Sequence, residues 1–385
     1  MDFTLSDEHR QVADTIREFC EVEVKPFASA WDRDERFPME TVKKLGRLGF
    51  LGVALPEDVG GGGGDTLTNA LVVEGVARYD ASLGLTVASH GGLASGHINL
   101  FAGDHLRKRY LPKLATGEWL GAWCLTEPGS GSDAGGLRTR AVRDGDSWVL
   151  DGSKMFITQG TVADVYVVLA STDAAQGTQG ISAFVVARGT PGLGNGRKIE
   201  KLGLRSSDTA EVVLEHVRIP ADHLVGEVDQ GFKQALRILD GGRITIGAWC
   251  CGIARGALEE SIAYAKERTT FGQAIAEHQA VQFMLADMAM RIDAARCLLY
   301  RACFLKDQGR PFGTEASMAK LVASETAMWA TTKAVQIHGG YGYMRELPVE
   351  RYMRDAKLGE IGEGTSEVQR IVISRAVLRE GLASL

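Results

Sequence analysis

The segment from 278 to 308 places the tightest constraint on the fold. Val281, Leu285, Met288, Ile292, Ala295, Leu299 and Ala302 follow one another at alternating steps of four and three residues. This spacing gathers all seven on one stripe of a long helix. Such a stripe is stable in water only against partner helices along its length, as in a bundle. Long helical patterns continue from Gly231 to the C-terminus. Helices also dominate the first 120 residues: Ser6 precedes a run with Val12, Ile16 and Phe19 at helical spacing, Pro26 punctuates it, and Phe37-Pro38 opens another. Residues 66–78 and 81–101 read as helix too. Between them the texture changes. Trp148-Val-Leu-Asp-Gly, Val165-Tyr-Val-Val-Leu-Ala, Ile181-Ser-Ala-Phe-Val-Val and Ala210-Glu-Val-Val-Leu are short β-branched and aromatic runs bounded by Gly, Asp and Ser, and Pro220 closes the series. The expected architecture is a multi-domain α+β chain. An N-terminal helical domain (1–120) precedes a middle antiparallel, β-barrel-like domain (121–229) and a C-terminal four-helix-bundle-like domain (230–385). There is no βαβ alternation and no G-x-G-x-x-G between a strand and a helix, which disfavours a Rossmann site.

Composition narrows the function classes. The 385 residues carry 43 Lys and Arg against 49 Asp and Glu, a formal charge of −6, so no broad positive field for nucleic acid is expected. No run of about 18 apolar residues marks a membrane span. The opening MDFTLSDEHRQ has acids where a secretory or transit signal needs an apolar or basic run. Six cysteines (20, 124, 250, 251, 297 and 303) form no C-x-x-C pair and no zinc-like spacing, and Cys250-Cys251 read as small buried thiols. No metal is expected. The five glycines from Gly60 to Gly64 read as a flexible surface loop. A phosphate cradle is the sharper alternative, although no Lys-Ser/Thr follows.

Three local signals carry chemistry. In Leu125-Thr-Glu-Pro-Gly-Ser-Gly-Ser-Asp133, Pro128-Gly129 forces a turn that frees backbone N–H groups and hydroxyls for a polar ligand edge. Lys154-Met-Phe-Ile-Thr-Gln-Gly160 is strand-like and ends in Thr and Gly; taken alone, it reads as a core strand. In Ile361-Gly-Glu-Gly-Thr-Ser-Glu-Val-Gln-Arg370 a glutamate lies between two glycines just before a helix start. A carboxylate there can approach a ligand closely, as a general base must, or the segment can be an ordinary capping region.

In this order and on this background, the three signals resemble the acyl-CoA dehydrogenase family over essentially the whole chain. Thr126 to Asp133, Met353-Arg-Asp-Ala-Lys with Glu363-Gly-Thr-Ser-Glu367, and Glu267-Arg-Thr-Thr-Phe-Gly-Gln with His278-Gln279 carry the resemblance. It implies FAD as cofactor and an acyl-CoA thioester as substrate. Trp123, Leu125, Thr126, Gly131 and Ser132 match the loop beside the flavin ring. Phe156 and Thr158 match a second ring-facing segment, the Thr hydroxyl being aimed at flavin N5. Arg268, Thr270, Phe271 and Gln279 match positions facing a partner subunit's FAD. Gln336, Gly339 and Gly340 match a glycine-rich turn near the dinucleotide, and Thr365 and Glu367 follow the base. Arg243, Ser132 and Gly364 match substrate contacts.

The resemblance makes Glu363 the base that takes the pro-R α-proton, its pKa raised by burial, while the β-hydrogen leaves as hydride to flavin N5. The Glu363 backbone N–H and a flavin ribityl hydroxyl are expected to hold the thioester carbonyl. Some family members carry the base just before the arginine of the helix after the β domain. Here that residue is Gly242, which cannot take a proton. Three positions depart from the common pattern: Gly362 for a frequent tyrosine, Phe156 for tryptophan and Gln159 for asparagine. Glu360 reads as a structural acid.

The implied partners are an electron-transfer flavoprotein and further copies of the chain in a homotetramer built as a dimer of dimers. The implied location is a bacterial cytoplasm, ahead of a processed mitochondrial matrix. The alternatives are an oxygen-using flavoenzyme of the same fold (an acyl-CoA oxidase or a monooxygenase) or a non-catalytic scaffold. No Lys or Arg lies between Arg78 and Arg107, along the helix that resembles the acyl-pocket wall. A monocarboxylic acyl-CoA of short to medium length is therefore expected, with His90 as a neutral pocket-lining residue. Gly91, Gly92 and Gly362 leave space for modest branching or a ring.

Overall fold

A computed structural model describes residues 4–381. Seven helices come first: α1 (Asp7–Glu23), α2 (Ala28–Arg33), α3 (Met39–Arg47), α4 (Thr66–Ala77), α5 (Ala81–Ala88), α6 (Gly96–Phe101) and α7 (Asp104–Ala115). Side chains fix their starts. Ser6 Oγ accepts from His9 N, Asp65 from Thr68 N and Asp80 from Leu83 N, which satisfies amide groups that have no partner within the helix. A π-helical turn, Ser89–Ser95, joins α5 to α6. The glycine run is not a loose loop. The N–H groups of Gly61, Gly62, Gly63 and Gly64 donate to the carbonyls of Pro56, Gly52, Leu55 and Val53. A Cβ on Gly61 would stand 2.2 Å from Leu55 O, so the run is zipped onto residues 52–56. With those N–H groups engaged, it has none to offer a phosphate.

Seven strands follow: β1 (Gly121–Cys124), β2 (Arg140–Asp144), β3 (Ser147–Thr158), β4 (Val165–Ser171), β5 (Ile181–Ala187), β6 (Leu193–Lys198) and β7 (Thr209–Pro220). They form one sheet in the order β1-β4-β2-β3-β7-β6, with β5 on β4. Pairing is antiparallel except where β1 runs parallel to β4 and β2 meets β4 at Arg140 and Ser171. The physical reason is topological. The β2–β3 hairpin is inserted between β1 and β4, and the chain returns in the direction in which it left. β4 is buried on both faces: Val165, Val167 and Leu169 pack with Leu106 and Tyr110 of α7, while Tyr166, Val168 and Ala170 pack with Trp148 and Phe184.

The chain ends in α8 (Gly231–Glu267), a small hairpin of β8 (Thr269–Thr270) and β9 (Gln273–Ala274), α9 (Gln279–Asp307), α10 (Gly313–His338), α11 (Val349–Ala356) and α12 (Ser366–Glu380). Met288, Ile292, Ala295, Leu299 and Ala302 of the α9 stripe are buried, and Val281 and Leu285 are partly so, in a core shared with α8 and α10. The partners that this stripe demands are therefore in the same chain. That core also takes in α1 and α4, so the first and last helical segments share one interior. α8 and α4 meet closely because Gly252 and Gly256 lie between them. A Cβ at either would come within 2.3 Å of Glu74 O or 2.2 Å of Arg78 O.

Candidate active site

β1 runs straight into the 125–133 loop, which closes on itself at Pro128-Gly129. Glu127 N donates to Ser130 O, and Ser130 N returns a bond to Glu127 O. A buried ion pair holds the loop from below. Lys154 of β3, fully buried, places Nζ 2.7 Å from Glu127 Oε1 and 3.2 Å from Leu125 O. Glu127 also accepts from Arg138 N and Thr139 N. Burial works to raise the Glu127 pKa, but Lys154 and these donors outweigh it and hold the carboxyl below its ordinary value. Burial also pulls the Lys154 pKa down, against the pull of Glu127. Above this anchor, Leu125 is buried, Thr126 accepts Met155 N through its carbonyl, and Gly131 and Ser132 face solvent.

The far end of β3 departs from strand geometry. Phe156 and Gln159 have φ of 59° and 64°, in the left-handed region. Phe156 is thereby turned outward, 63% exposed, beside half-buried Thr158, while Gln159 is buried with Nε2 on Thr86 O. A large aromatic left bare on a strand end in a polar loop cluster suits a planar ligand. Trp123 is steered from behind. Its Nε1 donates to His97 Nδ1 at 2.9 Å, His97 Nε2 meets Gln234 Oε1 at 3.0 Å, and Gln234 Nε2 donates to Val225 O. Burial lowers the His97 pKa to about 4, so the ring is neutral and this chain of bonds fixes its tautomer.

Glu363 lies between a 3-10 turn, Lys357–Glu360, and α12, whose start Thr365 caps. Glu363 and Gly364 both adopt positive φ, 52° and 89°. Two donors hold this turn: Gln369 Nε2 reaches the carbonyls of Glu363 and Gly364, and Lys320 Nζ reaches Gly364 O at 2.7 Å. Glu363 Oε2 is buried without a hydrogen-bond partner. It sits against α8 at Gly242, where a Cβ would meet it at 2.1 Å, near Leu93 of the π-helical turn. Burial pushes the Glu363 pKa up to about 7, against the pull of Lys320 and Arg243. Glu360 turns to Lys357 instead, at 2.5 Å.

His90 sits differently from its sequence-based expectation, and Arg243 is largely enclosed. Arg243 is only 7% exposed, and its guanidinium donates to Asp240 and to Ser317. His90 is fully buried with both ring nitrogens engaged, by Leu114 O and by Gly121 N–H, so it lines no pocket.

A second surface lies at the other end of α8. Arg268, Thr270, Gly339 and Gly340 line one pocket with Tyr264 and Tyr341. Thr270 Oγ1 meets His278 Nε2, Arg268 stacks over Tyr341, and Gln279 and Gln336 are exposed nearby. Phe271 is 97% exposed at φ 51°. Arg243 and Arg268 are 25 positions apart along one helix, roughly 37 Å at 1.5 Å per residue. Arg268 and the pocket around it therefore lie at the far end of α8 from Arg243.

The N-terminal, middle and C-terminal domain profiles of acyl-CoA dehydrogenase match residues 6–118, 122–217 and 229–378. A short-chain specific acyl-CoA dehydrogenase of Clostridium acetobutylicum is 46% identical over 379 residues, 98% of this chain and 100% of that protein. Butyryl-CoA dehydrogenase from Megasphaera elsdenii superposes with a TM-score of 0.97 at 43% identity, covering 98% of this chain and 100% of that one. A chain solved under the name "Electron transferring flavoprotein of Acidaminococcus fermentans" superposes at 0.98 with 45% identity, covering 99% and 100%. The chain belongs to the acyl-CoA dehydrogenase family. It is an oxidoreductase of that family, and FAD is its cofactor.

The residues present suit that group. A flavin ring needs an open planar berth, and the bare Phe156 face and the exposed 131–132 backbone offer one. Reading the sequence missed what stands behind them. Lys154 lay inside a segment read as a plain strand, and Glu127 inside a loop read for its backbone. His97 sits in a helix with no local signal. Charge inside an apolar helical stripe was the one available clue to Lys320. Among the described residues, no helix is long and apolar enough to cross a membrane, and no group of three or more His, Cys, Asp or Glu could hold a metal ion.

Proposed function

We propose that this acyl-CoA dehydrogenase removes the α-proton of a short- to medium-chain acyl-CoA with Glu363 and yields the trans-2-enoyl-CoA. The observation that carries the reading is the Glu363 carboxyl, its Oε2 buried without a partner against Gly242. A carboxylate relieved of its hydration accepts a proton from a weak carbon acid far better than one in water. The neighbouring helix position, Gly242, offers no competing acid. The Glu363 N–H donates to the thioester carbonyl and so polarises the Cα–H bond. Trp123, Thr126, Ser132, Phe156 and Thr158 would hold the flavin ring, with Leu125 and Gly131 shaping their loop. Thr365 and Glu367 would contact the cofactor beside the base. Gly364 and Arg243 would border the thioester and CoA. When bound, FAD supplies the acceptor for the β-hydrogen as hydride.

The second surface, Arg268, Thr270, Phe271, Gln279, Gln336, Gly339 and Gly340, would serve the FAD of a neighbouring copy in a dimer of dimers. Its distance from Arg243 along α8 supports that reading, as does an almost fully bare phenylalanine in a polar hairpin. The electrons pass on to an electron-transfer flavoprotein, and a bacterial cytoplasm is the setting. The deciding experiment is anaerobic bleaching of the purified yellow protein by an acyl-CoA panel. Bleaching by butyryl- to octanoyl-CoA with slow reoxidation by O₂ is expected. Fast peroxide formation, or no bleaching by any thioester, would overturn the reading.

A further inference from the structure

Lys320 lies in the third turn of α10 and is fully buried. A buried ammonium group is costly, so it needs a reason beyond a single hydrogen bond. Its one acceptor is the carbonyl of Gly364, at 2.7 Å. That carbonyl already receives a bond from Gln369 Nε2 at 2.9 Å, an uncharged and equally buried donor. The two donors share that carbonyl, one on each lone pair. The charge comes from Lys320 alone, because Gln369 brings none.

The groups around Lys320 show where the charge acts. The groups whose electrostatics reach Lys320 are Arg243 and Cys250 of α8 and Glu360 and Glu363 of the segment before α12. Arg243 is already matched by Asp240 at 2.5 Å, and Glu360 by Lys357. Cys250 is pushed up to about 12 by burial and stays a neutral thiol. Glu363 is the acid of this set left without a partner on Oε2.

We infer that Lys320 is a positioning residue for the reaction: its ammonium group fixes the left-handed Glu363–Gly364 turn through the Gly364 carbonyl and holds a buried positive charge behind the base. This rests on Glu363 being the base proposed above. The turn bond sets where the carboxyl points. The charge keeps a desolvated carboxyl able to ionise near neutral pH instead of far above it.

The test is an infrared difference titration of the Glu363 carboxyl in the purified FAD-loaded protein, with the band assigned by its loss in Glu363→Gln. Lys320→Met removes the donor and the charge, Lys320→Gln keeps a donor without the charge, and Gln369→Leu removes the uncharged donor alone. The carboxyl midpoint should rise by about one unit or more in both Lys320 variants and stay put in Gln369→Leu. The acid limb of flavin reduction against pH should move with it. Lys320→Arg should restore the midpoint. If Lys320→Met fails to fold, Lys320→Gln decides. A midpoint unmoved in Lys320→Gln, with flavin reduction slowed equally at every pH, would overturn the inference. Undiminished activity in Glu363→Gln would instead overturn the base on which it rests.

Discussion

A Cβ placed on Gly242 would stand 2.1 Å from Oε2 of Glu363. Two elements far apart in sequence thus compete for one small volume, and glycine on α8 is what leaves it to the carboxylate. Gly242→Ala should keep the fold, since alanine favours a helix interior by about 1 kcal/mol over glycine. It should also dislodge the carboxylate. We expect flavin reduction by butyryl-CoA to slow at least about tenfold, because a reacting group moved by 1 Å can cost two orders of magnitude. Stopped-flow rates beside a thermal melt would check this, and an unchanged rate would mean that Glu363 does not work from this position.

Glu363→Gln is nearly isosteric and removes the proposed base alone. Flavin content should stay stoichiometric while reductive turnover falls by roughly 10²–10⁴-fold. Retention of more than half the activity would rule Glu363 out as base, and loss of flavin would make it structural.

The same residue ties stability to pH. Its folded pKa of about 7 lies above the ordinary carboxyl value of 4.5, so the folded state binds the proton more tightly than the unfolded chain. The resulting stabilisation is complete below about 4.5 and is lost as pH rises through about 7. Glu363→Gln should therefore gain on the wild type above pH 7, by roughly 1–3 kcal/mol. Denaturation midpoints at pH 5 and pH 8 measure this. Equal differences at the two values would contradict it.

Lys154 and Glu127 should be far more sensitive singly than together. Lys154→Met leaves a buried carboxylate with its main partner gone, at a cost of about 3–5 kcal/mol. Lys154→Met with Glu127→Leu should cost less than the two single changes summed. A double-mutant cycle in urea decides, and simple additivity would mean that the pair does not act as a unit.

Substrate choice follows from missing positive charge. His90 is neutral, its pKa lowered to about 4 by burial, and both nitrogens are occupied. If α5–α6 walls the acyl site as proposed, it offers no partner to a second carboxylate, whose burial without one costs several kcal/mol. Butyryl- to octanoyl-CoA should exceed glutaryl-CoA in kcat/KM by at least about 100-fold. Glutaryl-CoA as best substrate would reverse the conclusion, and palmitoyl-CoA as best would reverse the chain-length part.

What the sequence by itself determined was every feature written in short-range pattern. The α9 stripe, the helix start after Ser6, the β-branched runs and the Pro128-Gly129 turn are read from neighbours, because helices, strands and turns answer to spacing within a few residues. Glu363 between two glycines was legible for the same reason. Tertiary structure decided the rest. It met the α9 stripe inside the chain, zipped the glycine run onto residues 52–56, set β1 parallel to β4, and turned His90 and Arg243 inward. It alone brought Lys320, Gly242 and Glu363 together from α10, α8 and the loop before α12. Burial, and with it the proton affinity of a carboxyl, depends on which distant segments exclude water, and no local pattern encodes that.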